Sequence, residues 1–224
     1  MPVCKVATNS FIEYFGDVMY GPDCSYPKAK PLQRRKRIHH DFNIEWSSEF
    51  ITTEEYKNYY KIAFVRNPWT RVVAAFRELM RRRPFGHTGL DEQRSLSYQK
   101  IYDLMEGYVS FENFINFIVN IEGNHTNRFN SPQPNAHWRP QVDVLHIKNK
   151  GLVPLKYDFI GKIENINEDF NFAQERLGLE KTKLCERHVT SKYNYKLYYQ
   201  DPKIIDLVGE YYKEDIETFG YEFE

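Results

Sequence analysis

The chain has 224 residues, 41% hydrophobic and 28% charged, which is the composition of a folded soluble protein and not of a disordered one. Its 31 basic and 31 acidic side chains cancel, which argues against a protein that coats nucleic acid by bulk charge. No run approaches the ~20 apolar residues a membrane-spanning helix needs, and no signal-peptide pattern opens the sequence.

Neither an internal repeat nor a Gly/Ser or Pro-rich linker divides the sequence, so residues 1–224 are read as a single domain. Pro2 to Val6 read as a short extended segment, and Ala7-Thr8-Asn9-Ser10 as a polar turn. Phe11, Phe15 and Val18 then recur at helical spacing. Residues 21 to 37 hold Gly21, Pro22, Pro27 and Pro31 and read as irregular chain. Thr52-Thr53-Glu54-Glu55 has the hydroxyls and early acids of a helix start. Residues 61–65 form a compact apolar strand, after which Asn67-Pro68 opens a helix with Val72, Val73, Phe76, Leu79 and Met80 on its apolar face. The pattern predicts helices near 92–106 and 111–121, strands near 143–147 and 157–161, and helices over 166–177 and 203–218. Strands feeding helices twice, joined by long crossovers, define an α/β fold with a mainly parallel sheet flanked by helices.

Two loops carry the chemistry. In CKVATNSF, at residues 4 to 11, a short loop opens a helix, so backbone N–H groups and the helix dipole favour a phosphate or sulfate there. Lys5 and the hydroxyls of Thr8 and Ser10 can reach the same anion. The Gly-x-x-x-x-Gly-Lys frame of a nucleotide-triphosphatase loop is absent, and a plain hydroxyl-capped helix is the competing reading. In FVRNPWTRVVAAFR, at 64 to 77, Arg66 directly follows a buried strand, at the sheet edge where open α/β folds bind ligands. Its planar fork suits phosphate, although a surface ion pair would use it equally. Cys4, Cys24 and Cys185 are odd in number and scattered, so they make neither a disulfide framework nor a zinc site and fit a reducing compartment.

These two segments, with HWRPQ at 137–141, YDFIGKIENINEDF at 157–170 and the tyrosine-rich tail from Tyr198 to Tyr221, resemble in order the signatures of one family. It is the sulfotransferases that use 3′-phosphoadenosine-5′-phosphosulfate (PAPS), in particular the carbohydrate group of sulfotransferase family 2 type. The resemblance runs from about residue 4 to 221. It implies a P-loop-like strand-loop-helix in which Lys5 and the loop at Ala7, Thr8, Asn9, Ser10 and Phe11 hold the 5′-phosphosulfate. Lys5 would also steady charge on the bridging oxygen as the S–O bond breaks, and Arg66 would bind the 3′-phosphate. Family members place a serine on that phosphate where this chain has Ala74, and proline where it has Cys4. Ser191, in a segment similar to a loop that closes over the nucleotide, is positioned in sequence to supply the missing hydroxyl.

Sulfuryl transfer also needs a group to take the acceptor's proton, and histidine suits that near neutral pH. His39 and His40 lie between the two cofactor segments, where related enzymes keep their base; His40 is preferred, and only one of two adjacent residues on an extended segment faces a cleft. His137 competes, against a structural role for its motif with Trp138 packed inside. The basic residues between Lys28 and Arg37, and Arg81-Arg82-Arg83, read either as solvated surface or as a mouth for an anionic substrate.

The expected activity is therefore in-line transfer from PAPS to a hydroxyl of a carbohydrate or other polyhydroxylated small molecule, with no metal required. A nucleotide-dependent kinase and a non-catalytic module for anionic glycans are the rival readings. A cytoplasmic location is expected, the alternative being a luminal domain trimmed from a Golgi enzyme. Acceptor identity and oligomeric state leave no mark in the sequence.

Overall fold

A computed structural model describes residues 6, 10, 11, 14, 15, 18, 54–81, 110–122, 137–145, 155–184 and 194–224. The chain divides into two compact units, Met1–Val65 with Gln141–Ser191, and Arg66–Pro140 with Lys192–Glu224. The fold is α/β, with a parallel sheet and flanking helices.

In the first unit, Phe11, Phe15 and Val18 are helical, as their spacing predicts, and so is Tyr14; Ser10, read as the end of the polar turn, is already helical, and Val6 lies buried in a bend ahead of them. Helix α1 covers Glu54–Asn58. Strand β1, Ile62–Val65, alternates half-buried and buried positions. It pairs in parallel with β2, Phe159–Lys162, in a register that sets Phe64 opposite Gly161 and Val65 opposite Lys162. Asp158 ties the entrances of the two strands together. Its carboxylate accepts from the Lys61 backbone N–H at 2.6 Å, and its own N–H donates to the Lys61 carbonyl at 2.9 Å. After a 3-10 turn at Ile163–Asn165, helix α5, Ile166–Arg176, returns over β2, and Asp169 accepts from the Lys162 N–H.

Between the strands the chain corrects one expectation. Residues 143–145 do not form a strand: α4 is a single helical turn, Gln141–Val144, closed by a bond from the Leu145 N–H to the Gln141 carbonyl at 2.8 Å. The reason is visible in burial. Gln141, Val142, Val144 and Leu145 are all buried, at i, i+1, i+3 and i+4, which is the spacing of a helix face. Residues 146–147 lie outside the described residues, as does the helix expected near 92–106.

The second unit is helical among its described residues. Helix α2, Pro68–Arg81, buries Val72, Val73, Phe76 and Leu79 and leaves Met80 half-buried. Helix α3, Phe111–Asn116, is capped by Ser110, whose hydroxyl accepts from the Asn113 N–H at 3.0 Å, and it runs on as a π-helical stretch, Phe117–Glu122. The helix expected over 203–218 is two. Helix α6 is Pro202–Tyr211, started by Asp201 and Pro202, and α7 is Lys213–Phe219, ended by Gly220 at φ 62°. An aromatic core joins these elements: Phe76 meets Phe111 and Phe114, each with centroids 5.5 Å apart, and Phe114 meets Trp138 edge-on at 5.3 Å.

Candidate active site

Phosphate recognition needs donors on rigid supports, and the described residues show two such supports. The first is the start of the amino-terminal helix. Ser10 is 2% exposed. Phe11 lies against Phe64 of β1 at 4.5 Å between ring centroids and meets Phe170 of α5 edge-on at 5.6 Å. Tyr14 reaches the same Phe170 ring at 4.8 Å. The helix that follows the loop is thereby fixed on the β1–β2 pair.

Gly161 makes this possible. A Cβ there would stand 2.5 Å from Cε1 of Phe64, so the Phe64 ring occupies the space that any side chain at 161 would need. The YDFIGKIE segment thus reads, residue by residue, as scaffolding: Tyr157 donates to the Leu145 carbonyl at 3.1 Å, Asp158 ties the strand entrances, and Gly161 admits Phe64. Glu164 is exposed.

The second support is the entry of α2. Arg66 directly follows β1 and is half-buried. Its Nε–H donates to Oγ1 of Thr70 at 3.0 Å, and the Thr70 hydroxyl donates to the Asn67 carbonyl at 3.0 Å. The buried Asn67 is held on both sides: its Oδ1 accepts from the Trp69 N–H at 3.0 Å, and its Nδ2 donates to the Glu222 carbonyl at 2.9 Å. Pro68 occupies the first helical position, where the absent N–H is not missed. Trp69 is locked in turn, with Nε1 donating to the Ile205 carbonyl and its own carbonyl accepting from Tyr199 at 2.9 Å. Ala74, on the same helix face as Thr70 one turn on, is 4% exposed.

His137 sits half-buried in a turn, and the next residue, Trp138, is 1% exposed with its carbonyl accepting from the Tyr212 hydroxyl. Trp138 is thus a packing anchor. Lys5, Ala7, Thr8, Asn9, His39, His40 and Ser191 lie outside the described residues. Among the described residues no three His, Cys, Asp or Glu side chains gather to hold a metal ion, and no helix is long and apolar enough to cross a membrane. Thr70 and Asn67 are the residues that sequence reasoning passed over. The signal available was a hydroxyl four positions after the arginine, across an Asn-Pro helix entry.

The described geometry thus holds an arginine at the entry of α2 and, separately, seats the amino-terminal helix on the β1–β2 pair. The chain belongs to the Sulfotransferase family, whose pattern matches residues 3–222. Among curated proteins it is similar to mouse carbohydrate sulfotransferase 12, with 30% identity over 173 residues, covering 66% of this chain and 38% of the relative. Mouse carbohydrate sulfotransferase 11 is 29% identical over 132 residues, covering 55% and 34%, and zebrafish carbohydrate sulfotransferase 14 is 25% identical over 127 residues, covering 54% and 31%. The chain thus spans about a third of the length of these relatives. No solved structure matches it.

Proposed function

We propose that this chain transfers a sulfuryl group from PAPS to a hydroxyl of a carbohydrate or another polyhydroxylated small molecule. The observation that carries the reading is Arg66: a guanidinium half-buried directly after β1 and held by Thr70, in a family whose members move sulfuryl groups. The donor supplies an activated sulfuryl group. The chain's residues bind and orient it.

In this reading Arg66 grips the 3′-phosphate with its planar fork. Lys5 and the loop at Ala7, Thr8, Asn9, Ser10 and Phe11 hold the 5′ end, with Lys5 offsetting the charge that grows on the leaving phosphate oxygen. Ser191 adds a hydroxyl near the 3′-phosphate. A histidine takes the acceptor's proton, with His40 first in order and His39 and His137 as the alternatives. The work asked of the protein is positioning and charge stabilisation, as in phosphoryl transfer. The carbohydrate acceptor is suggested by the names of the relatives, which act on that class.

The test is ligand-selective stabilisation followed by transfer of labelled sulfate. The product nucleotide, 3′-phosphoadenosine-5′-phosphate (PAP), should raise the melting temperature more than AMP, ATP or adenosine-5′-phosphosulfate, because a ligand that binds only the folded state stabilises it. Lys5→Ala should abolish turnover, and Arg66→Ala should weaken donor binding. His40→Ala should cut kcat with the fold intact. Near-normal activity in both the Lys5 and Arg66 variants overturns the site. Loss of rate in His39→Ala or His137→Ala instead reassigns the base.

A further inference from the structure

An arginine that recognises phosphate must present its fork in one plane, yet its side chain turns about several single bonds. The guanidinium carries five N–H groups in a rigid planar fork, so a bond to one of them restricts how the other four can turn. In this chain the bonded one is Nε–H, which donates to Thr70 Oγ1 at 3.0 Å. The direction of that bond is enforced from behind. The Thr70 hydroxyl proton is committed to the Asn67 carbonyl at 3.0 Å, which turns the oxygen's lone pair toward Arg66. Asn67 is itself immobilised by the Trp69 N–H and the Glu222 carbonyl. A continuous relay therefore runs from Glu222 through Asn67 and Thr70 to the arginine.

We propose that Thr70 is a positioning residue for the 3′-phosphate: it orients Arg66 in advance and so offsets the hydroxyl this chain lacks at Ala74. The inference rests on the reading of Arg66 given above. Thr70 and Ala74 are four residues apart on one face of α2, so the polar group has moved one turn toward the helix start. The serine expected at that position would donate to the phosphate. Thr70 acts through the arginine, lowering the ordering that binding has to impose.

The experiment compares PAP with AMP, which lacks the 3′-phosphate, by calorimetry on the full chain. In the wild type the ratio of the two affinities reports the 3′-phosphate contact, and Arg66→Ala should collapse it. Thr70→Val keeps the shape but removes the hydroxyl. It should shrink the ratio by about tenfold, the scale of a hydrogen bond to a charged group, with AMP affinity unchanged. The donor KM should rise with little change in kcat, and Thr70→Ser should restore the ratio. A purely structural threonine would lower melting temperature without altering the ratio. If wild type does not distinguish PAP from AMP, the reading of Arg66 fails and this inference with it. If wild type and Arg66→Ala behave as stated but Thr70→Val keeps the full ratio, the inference alone is overturned. Should Thr70→Val not fold, Thr70→Ala is judged by the same ratio.

Discussion

Phe11 rests on Phe64 with ring centroids 4.5 Å apart, and this contact joins the first residues of the amino-terminal helix to β1. The stack exists because the residue opposite Phe64 in β2 is Gly161. The seat of the amino-terminal helix therefore depends on a missing side chain on a strand far away in sequence. Gly161→Ala would push a methyl group into the Phe64 ring, with the Asp169 Cβ a further 3.1 Å neighbour. Overpacking of this kind costs about 1–3 kcal/mol. Phe11→Ala should cost about 2 kcal/mol, below the range for a fully buried phenylalanine because Phe11 is half-buried. Urea unfolding checks both. Both variants should also weaken PAP binding, since each loosens the support of the 5′ loop; stability loss with unchanged PAP affinity would separate that loop from the nucleotide.

Tyr212 stands where one apolar stripe becomes two helices, and its hydroxyl donates to the carbonyl of Trp138. Tyr212→Phe removes that hydrogen bond, which costs about 0.5–1.5 kcal/mol. For a chain of this size each kcal/mol lowers the melting temperature by about 2–4 °C. Because the HWRP turn is read as packing, kcat measured well below the melting temperature should hold. A drop in kcat there would draw the neighbouring His137 into the chemistry.

What the sequence discloses follows from how strongly each element is marked. β1 and α2 were legible because an apolar run ends at Asn67-Pro68, a combination that both caps a helix and tolerates a missing N–H. At residues 143–145 the strand reading fails because its window opens two residues late. Gln141 is buried along with Val142, and a polar residue in a helical face hides its own period. The break at Tyr212 left no trace, because Val208, Tyr212 and Phe219 are all buried and the apolar stripe continues across it. Of the site, the arginine was marked by its place after a strand. Its partner was not, since a side-chain hydrogen bond across a helix entry has no periodicity.

Glu175 and Lys181 form an ion pair at 2.8 Å, and the hydrogen bond from Lys181, with its charge, holds the Glu175 carboxyl below its ordinary range. A carboxyl whose folded value is lowered adds stability that is complete above its unfolded value and is lost as pH falls through the folded one. Both side chains are exposed, so salt and solvent screen the pair. Glu175→Gln should therefore lower the melting temperature slightly at neutral pH and not at all in strong acid, with turnover unaffected. Melting curves at the two pH values decide it; a difference that persists in acid would mean that the carboxyl acts by packing.

Ala74 offers the reverse experiment, adding a group instead of removing one. The position is buried on α2, so a new hydroxyl must find a partner within the protein when no nucleotide is bound. A helical serine can donate to the carbonyl four residues earlier, here that of Thr70, which keeps the cost small. With PAP present the same hydroxyl can turn to the 3′-phosphate, and a hydrogen bond to a charged group contributes about 1.5–3 kcal/mol. Ala74→Ser should thus bind PAP at least several-fold more tightly than wild type while AMP affinity stays level. In combination with Thr70→Val it should recover part of the lost discrimination, because the two hydroxyls serve one phosphate by different routes. Titrating the four proteins of this cycle with both nucleotides gives the coupling directly. Equal PAP affinity in Ala74→Ser and wild type would mean that this face of α2 does not meet the nucleotide.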